Sequence, residues 1–313
     1  MNITHLISYA TKSLCCVALG FWSGCSPSSE EQQQTAQLPQ AHALLATDFM
    51  SLADFQLVVA LRYRKTKDST HGTVDLEYKN NGQTISSSLS DGVTQGDISD
   101  ARDGSIWDKV RLICSSPYAV WNRKKLSQIY MLARHRPALF GKNDAAFYDL
   151  AQSTMRQIVV TDGAFTNFRD SLEKGYINTF NHITAQALIT ALYDEKIANY
   201  VATVHERHHM PQLVSGLFSK VQLKDTLNFP VDNYVDIINN ELGQELGKFL
   251  KAELNITKTT QWTPQLTAAF LNALHEYYAA SFQLTLIPYT AQDPIIIRFS
   301  DKLQTIQKGK SYI

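Results

Sequence analysis

The spacing of apolar positions changes near residue 100. Before it, Thr73-Val-Asp-Leu-Glu-Tyr78 alternates strictly, which is the period of a half-buried strand. Asn80-Asn81-Gly82 follows, and Asn and Gly tolerate the positive φ of a tight hairpin turn. Gln83 to Leu89 is the expected return strand, while the apolar run Leu52 to Leu61 fits either helix or strand. Beyond residue 100 the spacing becomes three and four. Trp107, Val110, Ile113 and Cys114 share one helical face, and Val120, Leu126, Ile129, Tyr130 and Leu132 mark a second helix ended by Pro137. Ala146, Phe147, Leu150, Met155 and Ile158 predict a third over 144–160, closed by Thr161-Asp162-Gly163.

Four longer helices are expected next: Ile177 to Leu192, Lys196 to His209 with Pro211 as its limit, Val231 to Leu250, and one from the Thr263-Pro264 start to about Ala280. Residues 213–229 read as an irregular connection. Phe282 to Ile287 and Ile295 to Phe299 read as short strands, and the tail after Gln304 as frayed. The predicted fold class is therefore mainly α. A helical, bundle-like domain spans 101–280, a small β-hairpin cap spans 46–100, and short C-terminal strands lie within 281–313.

The N-terminus reads as an address. In residues 1–24, Lys12 is the charged side chain and Leu14 to Trp22 is an apolar run, as in a bacterial export signal. Ser23-Gly24-Cys25 resembles the lipobox of bacterial lipoproteins, with Trp22 where Leu is usual. That resemblance implies cleavage before Cys25, a lipid on Cys25, and anchoring to a membrane by acyl chains at roughly 0.8 kcal/mol per buried CH₂. Ser26 after the cysteine implies the outer membrane, facing the periplasm. The polar stretch from Ser26 to Pro39 reads as a flexible tether, assigned to 25–45.

Composition narrows the chemistry. The 313 residues carry 29 basic and 29 acidic side chains, which argues against nucleic acid as a partner. Of the four cysteines only Cys114 lies in the body, so a disulfide framework or a cysteine-based zinc site is excluded there. Any metal must be held by His, Asp, Glu or Asn. No Gly-x-Ser-x-Gly elbow is present.

Polar clusters interrupt the central helices: Asn178-x-Phe180-x-His182, then His205-Glu206-Arg207-His208-His209, then Asp232 and Asp236-x-x-Asn239-Asn240-x-x-Gly243. His205-Glu206 with His209 satisfies the His-Glu-x-x-His spacing that puts two imidazoles on one helical face beside a carboxylate. The metal set expected from spacing is His205, His209 and Asp236, with zinc the first candidate and His275-Glu276 an alternative source of a third ligand. The catalytic set is His182, His205, Glu206, Asp236 and Asn240. The histidines would be ligands or acid/base groups, and Glu206 a base for water or a ligand. Asp236 would orient a histidine, and Asn239 or Asn240 would stabilise an oxyanion. Each cluster also has a plain reading: His182 as a hydrogen-bonded core histidine, the 205–209 run as a helix end whose dipole favours cations, and Asp-Asn-Asn as a polar clamp between helices.

Taken together, Asn178, Phe180 and His182, His205 and Glu206, and Asp236, Asn239, Asn240 and Gly243 resemble a bacterial helical domain family of uncharacterised function found in secreted and toxin-like proteins. Asn181 stands where that family often has Arg. The resemblance covers about residues 170–250 and implies a shared polar site without naming a reaction. Two functions follow from the sequence. One is a membrane-tethered hydrolase acting on an envelope lipid, peptidoglycan or protein. The other is a non-catalytic envelope lipoprotein that binds a protein partner or serves a structural role.

Overall fold

Asn81 and Gly82 take φ values of 48° and 77° and turn one strand back on the next, as the Asn-Asn-Gly sequence requires. The computed structural model describes residues 37–65, 72–160, 164–225 and 229–309, all within one unit spanning 36–313. In chain order the elements are α1 (Leu52–Gln56), β1 (Val59–Lys65), β2 (Gly72–Asn80), β3 (Gln83–Ser90), α2 (Gln95–Asp103), α3 (Ile106–Ser115), α4 (Pro117–Trp121), α5 (Arg123–Ala133), α6 (Pro137–Phe140) and α7 (Phe147–Arg156). The larger helices follow: α8 (Asn178–Leu192), α9 (Glu195–His209), α10 (Pro230–Glu253), α11 (Pro264–Phe282) and α12 (Pro294–Gln307). The fold is mainly α, with one antiparallel sheet of order β1-β2-β3. Among the described residues no helix is long and apolar enough to cross a membrane. The export-signal reading, Cys25 and Thr161-Asp162-Gly163 lie outside the described residues.

Helix α10 is the axis. Seventeen of its 24 residues are buried, among them Val235, Ile238, Leu242, Leu246 and Leu250. Burying each such side chain stabilises by about 1.5–3 kcal/mol. Its main partner is α8. A Cβ at Gly243 would meet Ile183 O at 2.7 Å, and one at Gly247 would meet Ala187 O at 2.6 Å, so the two backbones approach as closely as glycine allows. Phe180 and Thr184 bind α8 to α11: the rings of Phe180 and Tyr278 lie 4.3 Å apart, and Thr184 Oγ1 is 2.8 Å from Tyr278 OH. The sheet covers α10 from the other side with Val74, Leu76, Tyr78, Ile85 and Leu89.

Four expectations change. Residues 41–45, assigned to the tether, belong to the core. Ala41, Ala43, Leu44 and Leu45 are buried, and Asn239 grips Leu44 at both backbone groups, accepting from its N–H at 3.0 Å and donating to its carbonyl at 2.9 Å. Composition misled here because the backbone, not the side chains, makes the attachment. Ile295 to Phe299 is not a strand but the start of α12. Pro294 sits in the first turn, and Ile295, Ile296, Phe299, Leu303 and Ile306 repeat at helical spacing into what had read as a frayed tail. Phe282 ends α11, Gln283 takes a left-handed φ of 54°, and only an isolated bridge joins Ile158 to Leu286. The helix expected over 144–160 is shorter, because Asp144 is held outside it by an ion pair with buried Lys302 at 2.9 Å.

Alanine normally gains about 1 kcal/mol over glycine inside a helix. Gly247→Ala is expected to do the opposite, because overpacking against Ala187 and Thr190 costs about 1–3 kcal/mol. Chemical denaturation checks the sign; a stabilised variant would mean that the helices do not meet at this distance.

Candidate active site

Side chains from α8, α9 and α10 form the site. On α10, Asp232, Asp236 and Asn240 recur every fourth residue and so lie along one stripe. Asn178 and His182 stand one turn apart on α8, opposite that stripe. Glu206 enters from α9 and is buried.

The contacts run as one chain. Lys174 Nζ donates to Asp232 Oδ2 at 2.6 Å. Asn178 gives one amide hydrogen to Asp232 Oδ1 at 3.0 Å and the other to Asp236 Oδ1 at 2.8 Å. Asp236 Oδ2 lies 3.3 Å from His182 Nε2, and His182 Nδ1 lies 3.0 Å from Asn240 Oδ1. Asn240 Nδ2 then donates to Glu206 Oε1 at 3.0 Å. An amide oxygen only accepts, so His182 Nδ1 carries the hydrogen. By the same logic His205 Nδ1 donates to Gln95 Oε1 at 2.8 Å, which leaves Nε2 with the lone pair.

Burial sets the protonation. It raises Glu206 to about 8 against the hydrogen bond from Asn240. It raises Asp236 well above the usual carboxylate range, helped by the nearby Asp232 and Glu206. Burial lowers His182 to about 4 and His205 to about 3. Burial thus favours the protonated carboxyl at Asp236 and the uncharged imidazole at His182, whose Nε2 lies beside Asp236 Oδ2. Asp232 is also raised by burial, but the Lys174 ammonium opposes this.

The site opens into a cleft of about 300 Å³. Ile98, Leu126, Ile129, Phe147, Ile189 and Val204 line it, together with His182, His205 and Asn240 and with the polar Gln95, Arg134, Asn181 and Gln186. Substrate-sized clefts with mostly apolar walls and a few converging polar groups are the usual form of small-molecule sites.

The metal set expected from spacing, His205, His209 and Asp236, is not the one that converges. Among the described residues, His182, His205 and Glu206 bring ligand atoms within 4.8 Å of one another. The His209 ring lies tilted 4.4 Å from the His205 ring but is exposed at the end of α9, and Asp236 lies 3.3 Å from His182. Spacing on one helix cannot foresee a set assembled across two. Two histidines and a glutamate suit a catalytic zinc, which keeps one coordination position open. Gln95 on His205 and Asp236 on His182 are the outer partners such ligands commonly have. To bind, His182 would offer Nδ1, which is 3.9 Å from Glu206 Oε1, in exchange for its bond to Asn240.

Every residue of the expected catalytic set, His182, His205, Glu206, Asp236 and Asn240, belongs to this constellation. Asn239 does not, being engaged with Leu44. Sequence reasoning missed Lys174 and Gln95. Lys174 comes from the π-type turn Glu173–Ile177 leading into α8, and Gln95 from the first turn of α2. Neither position carries a pattern signal, since each reaches the site through tertiary packing alone. No family model, curated protein or solved structure matches the chain.

His275 lies elsewhere, buried with Nε2 3.3 Å from Thr154 Oγ1 and its ring 4.8 Å from Tyr289. Burial lowers its pKa to about 4 from 6.5. Between those values the unfolded chain binds more protons than the folded one, so the stability present above pH 6.5 is lost as pH falls towards 4. The contribution of His275 to this loss is of order 2 kcal/mol between about pH 6.5 and 5. Denaturant unfolding of His275→Gln at both pH values is expected to show a smaller pH difference than the parent; an unchanged difference refutes the assignment.

Proposed function

We propose that this protein is a hydrolase whose reacting groups border the cleft. The observation that carries this reading is that His182, His205 and Asn240 of the buried polar chain also line an open space with many apolar residues. A polar network that serves only to pack helices has no need of such a space. Burial favours the protonated form of Glu206, raised to about 8, and of Asp236, beside two uncharged imidazoles, and this offers donor and acceptor groups of the kind hydrolysis uses. His182, His205 and Glu206 would hold a divalent metal, zinc being the first candidate. A bound metal supplies Lewis acidity and a water that is deprotonated near neutral pH. Gln95 orients the His205 ring, Asp236 lies against His182, and Asn240 joins His182 to Glu206. The cleft walls favour a substrate with an apolar portion, and the export-signal pattern before Cys25 supports an envelope location with lipid anchoring at the outer membrane.

A second reading rests on a specific observation. Among the described residues, the buried atoms of Asp232, Asp236, Asn240 and Glu206 all have partners, as expected of a network that specifies packing. Metal content and stability separate the two. The hydrolase reading expects close to one zinc per chain, lost in His205→Ala with little change in melting temperature. It also expects hydrolysis of acyl-chain esters or amides to fall at least about 10²-fold in Glu206→Gln. A metal-free, inactive parent, together with a stability loss of about 1–3 kcal/mol in His205→Ala, would establish the packing network instead.

A further inference from the structure

We propose that α3 seats the protein on an anionic lipid surface. This helix has no buried residue. Its only partly covered positions are Asp108 and Leu112. At about 100° per residue, these two fall on the side opposite Ile113, Ile106, Val110, Cys114 and Trp107, which together span an arc of about 120°. The apolar stripe that reads in sequence as a core face is therefore turned outward. Ile106 is 66% exposed and Trp107 77%, and Trp121 at the end of α4 is 80% exposed.

Charge identifies the occupant. Lys109 and Arg111 flank the stripe, one on each side. From Ile106 to Lys125 there are five basic residues and one acid, within a chain of zero net charge, and of the five Lys125 pairs with Asp194 at 3.0 Å. The acid, Asp108, is already engaged by the Ser105 backbone and hydroxyl at 2.7 Å. An apolar stripe with tryptophan, bordered by Lys and Arg, is the form of a helix lying in a lipid headgroup region. A second copy is a poor occupant, because two such faces would bring Lys109 and Arg111 against their own counterparts. The surface stands independently of the hydrolase reading. It lies next in the chain to the cleft, since α2, which lines the cleft with Gln95 and Ile98, joins α3 through Gly104-Ser105.

The test uses the full chain carrying Trp22→Phe, so that emission comes from Trp107, Trp121 and Trp262. Trp262 is 1% exposed and serves as an internal reference. Phosphatidylcholine–phosphatidylglycerol vesicles with brominated acyl chains are expected to blue-shift and quench the emission. Adding Trp107→Phe and Trp121→Phe is expected to remove that quenching. Val110→Glu with Ile113→Glu is expected to weaken the response at least tenfold while leaving the circular-dichroism melt unchanged, since both positions are exposed. Chains that sediment with vesicles while Trp107 stays unquenched would overturn the proposal, the N-terminal segment alone then being the attachment. Equal quenching on pure phosphatidylcholine would overturn the anionic requirement. A blue shift that grows with protein concentration in the absence of vesicles would assign the face to a second copy and overturn it as well.

Discussion

The close approach of α8 and α10 is the constraint on which the rest of the molecule depends. Asp232, Asp236, Asn240, Gly243 and Gly247 form one ridge along α10, with steps of four, four, three and four residues. Its C-terminal half has no side chains, and there the backbones of the two helices nearly touch. Its N-terminal half carries the polar groups. A helix is stiff over this length, so the separation fixed at the glycines is transmitted to the polar end. Asn178 and His182 are thereby brought within hydrogen-bonding reach of the stripe.

Crowding buried acidic groups together has an electrostatic cost, and the arrangement limits it in two ways. Lys174 neutralises Asp232 directly. Asn178 gives one hydrogen to each of two carboxyl groups, so neither is left without a donor. The remaining acids retain protons, and the imidazoles stay uncharged. A divalent cation would invert this balance, replacing protons with one doubly charged ion held by the same oxygens and nitrogens.

Much of this was legible in the sequence, for identifiable reasons. The hairpin showed because Asn81-Gly82 permits only a few turns, and the central helices showed because their apolar spacing is long and regular. The residues of the site were visible as polar interruptions in apolar helices. Their grouping was not, since His182 joins His205 and Glu206 across a helix boundary whereas His209, at ideal spacing, faces outward. The pattern at Trp107, Val110 and Ile113 correctly gave a helix and a shared face, but periodicity carries no information on whether such a face meets protein or surroundings. The run Ile295 to Phe299 has the composition of a strand, but Pro294 just before it marks a helix start.

Asn239 and Asn240 are neighbours on α10 that point about 100° apart, one holding Leu44 and the other the site. Residues 41–45 thus act as a latch across the helix pair, with Tyr277 closing on Ala41 O at 2.8 Å as a second fastening. The autonomous piece of this chain accordingly begins before Ala41. A protease cutting just after Leu45 would strip both fastenings and leave a buried amide without partners one residue from Asn240, coupling the integrity of the N-terminal side to the arrangement of the site.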